Sequence, residues 1–152
     1  LVKAGYDPQS GVELILKARA EAAGKPLHGL ETMDKQIRML ATLDEPDQLA
    51  FLTETLGQFD NAAPELDAMV NAWAAGDVDT ITRLGVDEMK SISPALYESL
   101  LVRRNTDWAD QIQTMLEGSG TTFIAVGAAH LAGDDSVQAI LSRRGVTVTT
   151  AP

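Results

Sequence analysis

The chain has 152 residues, 45% of them hydrophobic, with no cysteine and a formal charge of −10 from 22 acidic and 12 basic residues. That length supports one domain with a core that needs no staples, and the lack of cysteine excludes disulfides and thiolate metal sites. The acidic balance argues against duplex nucleic acid or an anionic membrane as the main partner, and no run of about 18 apolar residues exists to span a bilayer.

In chain order, Asp7-Pro8 reads as a helix start, Val12, Ile15 and Leu16 follow at helical spacing, and Gly24 closes the helix. Leu27-His28-Gly29-Leu30 reads as a short strand that runs into Glu31 and a helix carrying Met33, Ile37 and Leu40. Leu49, Leu52, Leu56 and Phe59 form one helical stripe, and Leu66, Met69, Val70 and Trp73 the next. Gly76-Asp77 breaks the pattern before a short acidic helix over 78–84. Ser93-Pro94 then has the form of N-cap and N1 of a long helix reaching about Leu116.

After the turn at residues 118–120, residues 121–126 form an apolar run that reads as a buried strand. Asp134 or Asp135 caps a last helix ending near Arg144, Gly145 stops it, and 146–150 alternates as an edge strand. The expected fold class is therefore α/β: a helix-rich domain with a small, mostly parallel sheet. Three strands make a thin sheet, so the pattern reads as an incomplete part of a larger α/β fold. The chain also opens on Leu1, with neither an initiator methionine nor a signal-peptide pattern, and so reads as a portion of a longer protein.

Three residues stand out for chemistry. His130 follows the apolar run and Gly127, at the address where open α/β sheets place ligands. A histidine there can equally serve by hydrogen-bonding a loop carbonyl. Glu31 has the same address after the first short strand. A carboxylate and an imidazole suit a divalent metal or an acid–base pair, although an acid before a helix is favourable anyway. Arg104 lies on the apolar face formed by Tyr97, Leu101, Trp108, Ile112 and Met115. A charge on such a face requires a carboxylate or anionic partner, for which Glu31 is one candidate, or else it snorkels to the rim. His28 reads as a half-buried, hydrogen-bonded histidine, Asp134 and Asp135 as caps, and Trp73 and Trp108 as core.

Three segments together resemble one family. Residues 28–36, HGLETMDKQ, look like a GLET…Q segment; residues 104–109, RNTDWA, are similar to an RN..WA helix; residues 126–137, VGAAHLAGDDSV, look like a G-x-x-H motif. The family is TraB/PrgY/GumN, which includes the Tiki metalloproteases and has distant kin among erythromycin-esterase and ChaN-like proteins. The resemblance covers residues 1–152 as the C-terminal portion of the family domain. The family's earlier G-x-x-H is not matched, since no glycine stands three residues before His28.

That resemblance implies a metal-dependent, peptidase-like hydrolase to which this chain brings about half of a composite site and a missing N-terminal half brings the rest. Glu31 and His130 would be catalytic residues and ligands of a divalent metal ion, Gly127 would allow close backbone approach, and Arg104 would orient Glu31 or hold a substrate carbonyl or carboxylate. Two ligands are too few for a closed zinc site, so the chain alone is expected to bind metal weakly and to be inactive. The alternative is a non-catalytic protein that captures a peptide or small ligand through Arg104 and His130. The expected partner is a peptide or small-molecule substrate, a homo-oligomer stays open, and the resemblance points to an extracytoplasmic location.

Overall fold

The structure, a computed structural model, describes residues 5–57 and 62–150. Phe59 of the expected stripe lies outside the described residues. Asp7 does start a helical turn, accepting a hydrogen bond from the Gln9 N–H at 2.9 Å. That turn is a single 3-10 turn, Pro8–Ser10, and α1 (Val12–Ala22) begins after Gly11. Helix α2 (Met33–Ala41) is capped by Thr32, whose hydroxyl accepts from the Lys35 N–H at 3.2 Å. Helices α3 (Glu45–Gly57) and α4 (Ala62–Ala75) follow, and Asp77 caps α5 (Val78–Ile81).

The short acidic helix expected over 78–84 is longer in the structure. It passes through a π-helical stretch, Thr82–Asp87, and continues as α6 (Glu88–Ile92). Ser93 then caps α7 (Pro94–Tyr97) by accepting from the Leu96 N–H at 3.0 Å, as its Ser-Pro pair requires. A second π-helical stretch, Glu98–Val102, leads into α8 (Arg103–Leu116). A loop follows, then a 3-10 turn, Ala128–Leu131, and α9 (Val137–Arg143). Helix α9 is capped by Ser136 and not by either expected aspartate. It ends on Gly145 at φ +87°, where the Val146 N–H reaches back to the Leu141 carbonyl at 3.0 Å.

The α/β expectation is corrected: among the described residues there is no β-strand and no sheet, and the fold is all-α. A strand exists only through a ladder of backbone hydrogen bonds to a neighbour. Segments 27–30, 121–126 and 146–150 form no such ladder with one another. Phe123, in the centre of the presumed buried strand, is 77% exposed. The apolar alternation is real but one-sided: Ile124 and Val126 are half-buried while residues between and before them are exposed. A loop laid along a helical core produces that pattern as readily as a half-buried strand does.

The core has two parts. Ala72, Ile81, Val86, Tyr97, Leu101 and Ala132 join α4, the 78–92 helix and the start of the long helix. Trp108, Ala109, Val137, Ile140 and Leu141 pack α8 against α9, with Leu30, Val126 and Val146 laid against them. Gly133, at φ +79°, lets the 3-10 turn pass over Thr82 and Val86, which a Cβ there would touch at 3.5 Å. The candidate residues sit where the two parts meet.

Candidate functional site

Three contacts hold the loop before α2 and the first turn of α2 against α8. The Gln111 side-chain amide donates to the Leu30 carbonyl at 2.9 Å, Lys35 pairs with Asp107 at 2.7 Å, and Glu31 pairs with Arg104. The Glu31 side chain is only 5% exposed and that of Arg104 18%. The fork of the guanidinium fits the carboxylate: Nε donates to Oε2 at 3.1 Å and an NH2 hydrogen goes to Oε1. Gln36, one turn into α2, donates to the same Oε1 at 2.9 Å. Arg104 also donates to the Leu100 carbonyl at 3.1 Å. Burial raises the Glu31 pKa, but the hydrogen bonds from Arg104 and Gln36 and the nearby positive charges outweigh it, so the net shift is downward.

Trp108 connects this pair to His130. The Arg104 guanidinium carbon lies 4.9 Å from the indole centroid, one helical turn away. The His130 ring lies 4.4 Å from it, tilted by 46°. His130 is buried within the 3-10 turn, and its Nδ1 is 2.6 Å from the Asn105 Oδ1. Asn105, itself 2% exposed, uses its Nδ2 to donate to the Asp135 carbonyl at 2.7 Å. A carbonyl only accepts, so the amide's NH2 must face Asp135 and its oxygen must face His130. Neutral His130 therefore carries its proton on Nδ1, which leaves Nε2 as an acceptor. Desolvation lowers the His130 pKa, with the Arg104 charge adding to it and Glu31 partly opposing, to about 4.

The structure thus brings Glu31, Arg104 and His130 into one connected array. Two residues of the matched segments that had no assigned role support it: Asn105, which fixes His130, and Gln36, which supports Glu31. The signal for Asn105 was available, because Leu101, Asn105, Trp108 and Ile112 lie at helical spacing and put an amide on a buried stripe. His28 is corrected: it is exposed, since no strand forms around it to bury it. Gly127 has no steric role within these residues, as its φ is −59° and a Cβ would meet only His130 Cδ2 at an ordinary 3.7 Å.

The donors fit a divalent ion poorly. Both Glu31 oxygens accept from Arg104, one also from Gln36, and the guanidinium brings positive charge into the array. Among the described residues no group of three or more His, Asp or Glu side chains is placed to share an ion. What the array offers is a neutral imidazole with an available Nε2 and a charge-balanced guanidinium beside it.

The chain matches the TraB/PrgY/gumN family over residues 1–150 and belongs to it. It is similar to the uncharacterised protein YbaP of Escherichia coli strain K12, 32% identical over 142 residues, covering 91% of this chain and 50% of that protein. The YbaP of Shigella flexneri matches with the same identity and coverage. The chain therefore spans about half the length of these relatives. No solved structure matches it significantly.

Proposed function

We propose that this chain, as a member of the TraB/PrgY/gumN family, contributes Arg104 and His130 to the site of a peptidase-like hydrolase that further residues of a longer protein complete. The observation that carries this reading is the fixed tautomer of His130. An imidazole held neutral, with Nδ1–H on an amide oxygen and Nε2 as an acceptor, can take a proton from water. Arg104, its charge balanced by Glu31, keeps N–H groups beyond those engaged by Glu31 and Leu100. These suit a substrate carbonyl or carboxylate. In this chain Glu31 serves as the positioning residue for Arg104 unless that pair opens.

A second reading is favoured by one specific observation, the full engagement of Glu31 with Arg104 and Gln36. In it Glu31 only anchors Arg104, and Arg104 and His130 capture an anionic group without catalysis. The two readings separate in a peptide-pool cleavage assay on the full-length protein, run with and without chelator. Cleavage supports the hydrolase. Peptide binding without cleavage, lost in Arg104→Met, supports capture. Neither cleavage nor binding rejects both.

A further inference from the structure

Asp135 lies in the loop between the 3-10 turn that carries His130 and the start of α9. Its main chain and its side chain make different contacts. The backbone carbonyl accepts from Asn105 Nδ2, on α8, at 2.7 Å. The carboxylate is held from two sides. The Tyr97 hydroxyl, at the end of α7, donates to one oxygen at 2.6 Å, and Arg143, at the end of α9, pairs with the other at 3.5 Å. One loop residue thus links three helices, and the carbonyl it presents decides which way the Asn105 amide faces.

We propose that Asp135 is a positioning residue of the site: its carboxylate, anchored by Tyr97 and Arg143, fixes the carbonyl that orients Asn105 and, through Asn105, keeps the His130 proton on Nδ1. The proposal rests on the reading of His130 as a group of that site. The two ends of a side-chain amide are alike in shape, so only its partners set its orientation. With the Asp135 carbonyl in place, Nδ2 must face it and Oδ1 must face His130 at 2.6 Å. With that carbonyl displaced, the amide can turn its NH2 toward His130, and the ring then accepts at Nδ1 and carries its proton on Nε2. The tautomer therefore reports where the carbonyl stands. The two anchors duplicate each other, since either one alone still holds the carboxylate, whereas loss of the carboxylate releases both. An acid just before a helix is favourable through the helix dipole alone, but that effect does not act on the tautomer.

The test is nitrogen-15 NMR of the histidine rings in the full-length protein at neutral pH, with His130 identified by its absence from the His130→Gln spectrum. Asp135→Ala is expected to bring in the Nε2-protonated form. The Asp135 side chain is 35% exposed, so its truncation removes little packing. Asp135→Asn keeps an oxygen for the Tyr97 hydroxyl and is expected to keep the Nδ1 form. Asp134→Ala makes the same charge change one residue away, where Arg143 contacts only the backbone carbonyl, and is expected to leave the ring as in the wild type. A ring protonated only on Nδ1 in Asp135→Ala would overturn the proposal. So would an equal change in Asp134→Ala, or failure of Asp135→Asn to restore the wild-type form. Under the hydrolase reading, Asp135→Ala should also lower peptide-pool cleavage about tenfold or more, as misplacement of a reacting group does. The tautomer is read without turnover: if the wild type cleaves nothing, the hydrolase reading falls while the expected spectra still establish the positioning role.

Discussion

His130 Nδ1 lies 2.6 Å from Asn105 Oδ1, and the other end of the same amide is tied to the Asp135 carbonyl. One buried side chain thereby sets the orientation and the tautomer of the imidazole. Asn105→Ala leaves a buried imidazole N–H and a half-buried carbonyl without this partner. The expected loss is about 2–4 kcal/mol, from the usual desolvation penalty of unsatisfied buried groups. Urea unfolding measures it. Nitrogen-15 NMR of the native protein should show Nδ1 protonated; an Nε2-protonated ring would refute the assignment.

Stability should fall with acid through His130. Its folded pKa, about 4, lies below the unfolded value of 6.5, so the unfolded chain binds more protons between the two. The sign follows: stability rises with pH from about 4 to 6.5 and is level above. The full swing is on the order of 3 kcal/mol. Glu31 acts in the same direction further down, because its lowered pKa contributes stability that disappears as the carboxylate protonates. Unfolding free energy measured across this range should show the slope in the wild type and a flatter one in His130→Gln.

Breaking the Glu31–Arg104 pair should cost more than replacing it. Glu31→Ala strands a guanidinium that is 18% exposed, with an expected loss of about 3 kcal/mol, the lower end for a buried pair. Glu31→Leu/Arg104→Met should recover most of it, since apolar groups of similar size need no partner. A double-mutant cycle by chemical denaturation checks both. Equal losses in the single and double variants would mean the pair is screened and of little weight.

The Tyr97 hydroxyl donates to the Asp135 carboxylate at 2.6 Å, and burial with that carboxylate pushes the phenol above its usual pKa. Asp135 also faces Arg143 at 3.5 Å, so it keeps a partner when the hydroxyl is removed. Tyr97→Phe should therefore cost only about 1 kcal/mol, well short of Asn105→Ala. A cost as large as that of Asn105→Ala would mean that Tyr97, through Asp135, also holds the loop under His130.

Much of the site was legible because it depends on helix periodicity and on the penalty for burying charge. A cation on the stripe of Leu101, Trp108 and Ile112 called for a partner or a route to the rim, and the structure pairs it with Glu31. Capping was legible at Ser93, where a hydroxyl stands just before the first helical residue, but not at Thr32 or Ser136. The sheet was not, because residues 121–126 carry an alternation that a loop on a helical core also satisfies. Strand pairing is a relation between segments, and no single segment encodes its neighbour. The π-helical stretches Thr82–Asp87 and Glu98–Val102 were likewise silent, since Tyr97, Leu101, Arg104 and Trp108 keep ordinary helical spacing across the second of them.

Cleavage of a peptide pool by full-length protein carrying His130→Gln decides whether His130 is a reacting group of a hydrolytic site, as proposed. Glutamine keeps a side chain of polar character while removing the imidazole. The wild type is expected to cleave and the variant to stay folded but lose activity about 10²-fold or more, the usual worth of a proton-transfer group. Cleavage at the wild-type rate in a folded His130→Gln protein would contradict the proposal.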